Sequence, residues 1–161
     1  MFRIGQGYDV HQLVENGELR LGGVLIPYPL GLSGHSDADV LLHAICDALL
    51  GAVGAGDIGR HFPDSDPAHR GRSSREFLKA AGEIVKAEGW RVSNVDATII
   101  AEKPKIAPYV TEMCGNIAAD LTISPAQVNI KATTTERLGF TGREEGIAAL
   151  AVAMLTSEAS E

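Results

Sequence analysis

The chain has 161 residues, 45% of them apolar, and carries 14 Lys and Arg against 21 Asp and Glu for a net charge of −7. That length fits one domain, 1–161, with enough apolar content for a folded core, which excludes global disorder. The acidic balance speaks against a nucleic-acid partner, and no apolar run is long enough to span a bilayer, so no membrane partner is expected. Met1-Phe2-Arg3-Ile4 contains no basic segment followed by an apolar stretch and runs straight into a strand over 2–10, which points to the cytoplasm. Residues 19–26 read as two short strands joined by a Gly22-Gly23 turn. Ser36-x-x-Asp39 resembles a capping box and starts a helix that runs to 53. A long polar loop, 54–72, follows and suggests a functional segment. Ser73-x-x-Glu76 caps a second helix that stops at Gly89. The pattern then predicts a strand over 92–102, a helix over 108–121 and a strand over 128–134. Residues 146–156 are apolar throughout; their place after a Gly-rich turn favours a buried strand. The fold class is α/β or α+β, with one mixed sheet covered by helices on one face. Cys46 and Cys114 are expected to be reduced and buried, although sequence alone leaves a disulfide open.

Histidine placement carries the chemistry. Asp9 and His11 stand two apart in a strand and so point to one side. His43 lies on the helix, with Asp39 and Asp47 one turn to either side of it on a face opposite the apolar one. Asp9, His11 and His43 form a three-ligand set with an open fourth position, the pattern of a catalytic Zn²⁺ or a similar divalent ion. Asp47 or Asp39 would then orient an imidazole. Gly34-His35-Ser36 at the helix start offers backbone N–H groups and side-chain donors to a phosphate. Thr133, Thr134 and Thr135 at a strand end offer hydroxyls to phosphate oxygens, and Glu136 a hard ligand for Mg²⁺ or Mn²⁺. Neither a dinucleotide fingerprint nor a Walker loop is present.

Five collinear stretches give these fragments a common meaning: Arg3-Ile-Gly-Gln-Gly-Tyr-Asp-Val-His11, His35-Ser-Asp-Ala-Asp-Val-Leu-Leu-His43, Gly56-Asp-Ile-Gly-Arg-His-Phe-Pro-Asp-Ser-Asp-Pro67, Asn94-Val-Asp-Ala-Thr-Ile-Ile-Ala101 and Lys131 through Gly146. Together they resemble the 2-C-methyl-D-erythritol 2,4-cyclodiphosphate synthase family of the non-mevalonate isoprenoid pathway. The resemblance implies a cytidine-diphosphate substrate and Zn²⁺ on Asp9, His11 and His43, with Val10 beside them in the substrate site. It implies that His35 and Ser36 contact phosphate, and that His35 and Thr134 stabilise the transition state. Asp57, Ile58, Gly59, Phe62, Pro63, Asp64, Ser65 and Asp66 fall where the family holds the methylerythritol phosphate. Ala101, Pro104, Lys105, Ile106 and Ala107 fall where it wraps cytosine, and Thr133 to Glu136 where it holds the diphosphate and a second metal. A homotrimer is implied, with active sites between subunits. Its axial cavity would take isoprenoid diphosphates in some members and would be lined by Tyr8, Phe140 and Arg143. Leu150 stands where some members have Glu, a departure that bears on that cavity. A metal-dependent phosphohydrolase and a non-enzymatic isoprenoid-diphosphate binder are the competing readings.

Overall fold

The computed structural model describes residues 1–157. Strand β1, Phe2–Glu15, is the spine of the sheet. It pairs antiparallel with β7, Gly146–Ser157, in a register running from Phe2↔Thr156 to Gln12↔Gly146. On the far side of β7 lies antiparallel β5, Trp90–Ile100, and β6, Val128–Thr133, pairs parallel with β5 at the edge. A three-residue strand β4, Leu30–Leu32, completes the order β4-β1-β7-β5-β6. Strands β2, Leu19–Leu21, and β3, Val24–Ile26, form a separate two-stranded ribbon. Gly22 and Gly23 make its turn with φ of 58° and 74°, a left-handed pair that glycine adopts without steric cost.

Three helices cover one face of the sheet: α1, Val40–Val53, α3, Ser74–Ala87, and α4, Val110–Leu121. Helix α1 lies on β1 and β7, α3 packs on α1, and α4 packs on α3 and β6. The seat of α1 accounts for two of the 18 glycines, Gly5 and Gly7. A Cβ at Gly5 would lie 1.9 Å from the Ala48 carbonyl oxygen, and one at Gly7 1.8 Å from that of Ala44. Bare backbone on β1, with buried Ala149, Ala151 and Ala153 beside it on β7, lets the helix come down onto the sheet. Alternation sends the intervening residues of β1 to the other face, where Phe2, Ile4, Tyr8 and Val10 are exposed, with Val152 of β7 next to them.

The helical layer, the hairpin and β7 match expectation. Other elements differ. β1 runs on to Glu15, and β4 lacked any signal beyond three residues of mixed pattern. The 54–72 segment contains a short helix α2, Ile58–His61, and a 3-10 turn at Pro67–His69. Helix α1 begins at Val40 with Asp39 as its cap, not at Ser36. The Asp39 carboxylate accepts the N–H of Leu42 at 3.1 Å and also those of Gly22 at 3.0 Å and Gly23 at 2.7 Å. The ribbon turn therefore closes over the helix start and buries Asp39 completely. Burial pushes its carboxyl up to about 6, against the pull of the three N–H donors. Nor is α1 amphipathic: it is buried against the sheet on one side and α3 on the other. Cys46 is buried as expected, Cys114 only half-buried, and the two are unpaired.

Candidate active site

Beyond Gly5 and Gly7, the next two helix-facing positions of β1 are Asp9 and His11. The close seat of α1 brings His43 down to meet them. Asp9 Oδ2 lies 3.0 Å from His11 Nε2 and 3.1 Å from His43 Nδ1, and the two imidazole nitrogens are 3.1 Å apart. Burial pushes the Asp9 carboxyl up, but His11 and His43 outweigh it and hold the group well below the usual carboxylate range. Burial pushes His11 down, and Asp9 outweighs that in turn, leaving it raised.

Three donor atoms converging this closely are the structural test for a metal. Ligands about 2.0–2.1 Å from a tetrahedral ion stand roughly 3.3 Å apart, close to what Asp9, His11 and His43 present. His11 Nδ1–H donates to the Ser33 carbonyl at 2.7 Å, which leaves the Nε2 lone pair pointing at the centre. The donor set fits a divalent cation, and it is the one such group among the described residues.

A cleft of about 220 Å³ opens over the triad. His35, Ser36, Ile58, Gly59, Phe62 and Asp64 of the expected set line it, together with Gly34, Asp47, His69 and Phe77. A larger cleft of about 440 Å³, between α3, α4 and the start of β5, contains none of the expected residues. The outer wall of the triad cleft is aromatic: Phe62 stacks on Phe77 with centroids 4.8 Å apart, and His69 meets both rings edge-on. His35 Nε2 is buried without a hydrogen-bond partner, the one such side-chain atom among the described residues. An orphaned buried polar atom costs about 1–3 kcal/mol unless a ligand satisfies it, so this nitrogen favours a polar guest.

The roles expected of Asp39 and Asp47 need correction. Asp39 is consumed by the ribbon turn, and Asp47 accepts the Ile58 N–H at 2.7 Å, tying α2 to α1. Neither meets the His43 ring. His43 Nε2 instead lies 2.8 Å from Ser74 Oγ and 3.2 Å from Ser36 Oγ. The helix-dipole argument for His35 and Ser36 also falls, because α1 starts after them at a buried cap. They reach the cleft from the preceding loop.

The remaining expected residues lie elsewhere. The Val10 side chain is on the open face of the sheet. Asp57 caps α2 through Arg60 N at 2.9 Å, and Asp66 caps the following turn through Ala68 N at 2.9 Å. Pro63 and Ser65 lie between them, Ser65 exposed and Pro63 on the loop surface. Ala101 and Ile106 are buried after β5, with Pro104 half-buried and Lys105 and Ala107 exposed. Thr133 to Glu136 leave the end of β6, and Glu136 and the next residue, Arg137, both hold left-handed backbone with φ of 53° and 63°. Glu102 ties these two loops by accepting the N–H groups of Thr135 at 3.1 Å and Arg137 at 3.2 Å, a link the sequence did not suggest. Phe140 lies in the short helix α5, Gly139–Gly142, and Arg143 beyond it pairs with Glu145 at 3.0 Å. Registers place Asp9 level with Ala149, Ile99 and Ala132, so the β6 loop lies three strand spacings, about 14 Å, from the triad within one chain.

Fold and site define a small α+β protein with an Asp/His/His triad that could hold a cation and that opens to a cleft, the donor number of a catalytic rather than a structural metal site. The chain belongs to the YgbB family, whose model matches residues 2–156. It is 63% identical over 154 residues to 2-C-methyl-D-erythritol 2,4-cyclodiphosphate synthase of Dechloromonas aromatica, covering 96% of each chain. The enzyme of that name from Geobacillus kaustophilus is 63% identical over 155 residues, 96% of this chain and 98% of the other. Among solved structures, the bifunctional IspDF of Campylobacter jejuni superposes with a TM-score of 0.95 at 43% identity, over 98% of this chain and 43% of that one. IspF of Plasmodium falciparum in complex with CDP gives a TM-score of 0.85 at 36% identity, over 98% and 97% of the two chains.

Proposed function

We propose that the chain, acting as one domain over 1–161, is a cyclodiphosphate synthase. It converts 4-diphosphocytidyl-2-C-methyl-D-erythritol 2-phosphate to 2-C-methyl-D-erythritol 2,4-cyclodiphosphate and CMP on the non-mevalonate route to isoprenoids. One observation carries the reading: 63% identity through 96% of the chain to relatives bearing that name. A CDP complex among the similar structures supports a cytidine nucleotide as the recognised group.

In the reaction an oxygen of the 2-phosphate attacks the β-phosphorus, the bond from that phosphorus to the CMP oxygen breaks, and CMP leaves with the electron pair. A phosphate monoester with a second pKa near 6 is already largely dianionic at neutral pH, so no side chain is needed as a base. Holding both ends of one molecule can supply roughly 7–11 kcal/mol in favourable cases. A cation on Asp9, His11 and His43, proposed as Zn²⁺, and a second, Mg²⁺ or Mn²⁺, held by Glu136 with the substrate diphosphate, would supply charge neutralisation for the phosphates. His35 and Ser36 bind phosphate from the near wall, and the orphaned His35 nitrogen gains its partner there. Asp57 to Gly59 and Phe62 to Asp66 hold the methylerythritol end. Ala101 and Pro104 to Ala107 enclose cytosine, and Thr133 to Glu136 grip the diphosphate, with Thr134 acting beside His35.

The separation of the triad from the β6 loop supports a homotrimer in which one subunit supplies each half of a site. The exposed row Phe2, Ile4, Tyr8, Val10 and Val152 supports burial of the open sheet face against other copies. Tyr8, Phe140 and Arg143 would line an axial cavity for isoprenoid diphosphates, with Leu150, opposite Tyr8 in the register, making it more apolar. No helix among the described residues is long and apolar enough to cross a membrane. Two unpaired cysteines suit the cytoplasm.

Incubating the protein with the cytidyl substrate, Zn²⁺ and Mg²⁺ should release CMP and cyclic diphosphate in equal amounts. CMP with a linear, hydrolysed product would overturn cyclisation and make the chain a phosphohydrolase. Sedimentation velocity should give a trimer.

A further inference from the structure

The proposed cation site leaves one question open in its geometry: what holds the His43 ring with a bare Nδ1 toward the centre. A neutral imidazole carries its proton on one nitrogen only, and a proton on Nδ1 would face the cation. The answer lies in two residues with no role in the proposed function, Ser74 and Asp37. Ser74 is the first residue of α3 and fully buried. Its backbone N–H donates to Asp37 Oδ2 at 3.0 Å, and its hydroxyl donates to Asp37 Oδ1. A hydroxyl has a single proton, and Asp37 takes it. What Ser74 Oγ has left to offer His43 Nε2, 2.8 Å away, is a lone pair. Nε2 therefore carries a hydrogen, and the neutral ring then turns a bare Nδ1 to the centre; without a cation, the Asp9 carboxylate 3.1 Å from Nδ1 competes for a hydrogen there. Asp37 is itself fixed, since its N–H donates to the Arg72 carbonyl at 3.1 Å. Ser36 Oγ also faces Nε2, but at the longer distance of 3.2 Å.

We propose that Asp37 and Ser74 are positioning residues that lock His43 in its Nε2–H tautomer and so present Nδ1 to the divalent cation. The polarity runs from the Asp37 carboxylate, through the Ser74 hydroxyl, to the imidazole N–H. Without the carboxylate the hydroxyl is free to turn and donate to Nε2, which puts the proton on Nδ1. The inference rests on the cation reading of the site, but its first test needs no metal.

In metal-free protein with ¹⁵N-labelled histidine, two-bond ¹H–¹⁵N correlation spectra at alkaline pH, where the ring is neutral, should show His43 dividing its proton between Nδ1, which faces Asp9, and Nε2, which faces Ser74. Ser74→Ala and Asp37→Asn should each lower the Nε2–H share. Zn²⁺ affinity by competition with a chromophoric chelator should fall about 10–100-fold in Ser74→Ala, and by a smaller factor in Asp37→Asn, which keeps the side chain's shape. An Nε2–H share unchanged from wild type in both variants overturns the proposal, as does unchanged Zn²⁺ affinity in both. A wild-type protein that shows the tautomer but binds no Zn²⁺ overturns the cation site and leaves the lock standing.

Discussion

Gly7→Ala tests whether the site depends on the seat of α1. The added Cβ would lie 1.8 Å from the Ala44 carbonyl oxygen, 2.8 Å from its carbon and 2.9 Å from Ala48 N, all of them backbone atoms of α1. No rotamer relieves such a contact. Ordinary approach begins near 3.4 Å, so helix and strand must part by about 1.5 Å. His43 adjoins Ala44 and moves with it, which stretches the 3.1 Å Asp9–His43 separation toward about 4.5 Å. Metal sites tolerate about ±0.2 Å, so the site loses a ligand and affinity should fall more than the roughly 100-fold seen when only an orienting partner is removed. Overpacking against backbone should cost about 3 kcal/mol, the upper part of the usual range. Gly51→Ala is the control on the same helix: its Cβ meets only the Gln6 carbonyl oxygen at 3.9 Å, and alanine should stabilise α1 by about 0.5–1 kcal/mol. Urea unfolding and Zn²⁺ competition read both quantities. A Gly7→Ala protein with wild-type midpoint and wild-type affinity would refute the reasoning.

Three further outcomes are expected. A chelator should lower the melting temperature of wild-type protein, with the loss reaching about 2.7 kcal/mol when the ion had stood at 100 times its Kd, and should leave His43→Ala unmoved. Asp39 has its folded pKa raised to about 6 from 3.8, so its contribution favours folding at low pH. The cost of ionising it grows from about pH 4, levels off above about pH 7 and amounts to about 3 kcal/mol, and Asp39→Asn should abolish that component of the stability–pH curve. Arg75 holds the buried Asp120 carboxylate with bonds of 2.8 and 2.9 Å, leaving Lys79 at 3.7 Å as the other cation. Arg75→Ala should cost about 3 kcal/mol in urea unfolding, and an unshifted midpoint would show the pair to be dispensable.

How far the sequence could be read depended on the distance to a residue's partner. Asp9 and His11 were legible because strand alternation is a local rule, and they project together as expected. The apolar stretch before Ser157 was legible as β7 because a sheet needed closing. Asp39 misled, because a polar residue beside a helix start reads as exposed, whereas the turn that buries it lies 16 and 17 positions away. Ser74 was invisible for the same reason: it meets His43 across 31 positions, and a serine at a helix start has an ordinary local use. Grouping Thr133 to Glu136 with the triad rested on resemblance alone, since the two lie on strands three apart.

β1 carries two surfaces on alternate residues, Asp9 and His11 toward α1 and Tyr8 and Val10 away from it. Its length is therefore not free to drift. One residue inserted or deleted between Gly7 and Asp9 would turn both ligands outward and press Tyr8 or Val10 against the helix, exchanging the two surfaces at a stroke. Point substitutions can accumulate at the strand's outward positions, but changes in residue number should be confined to turns such as 88–89, where Gly89 has open space around it and no face is counted in twos.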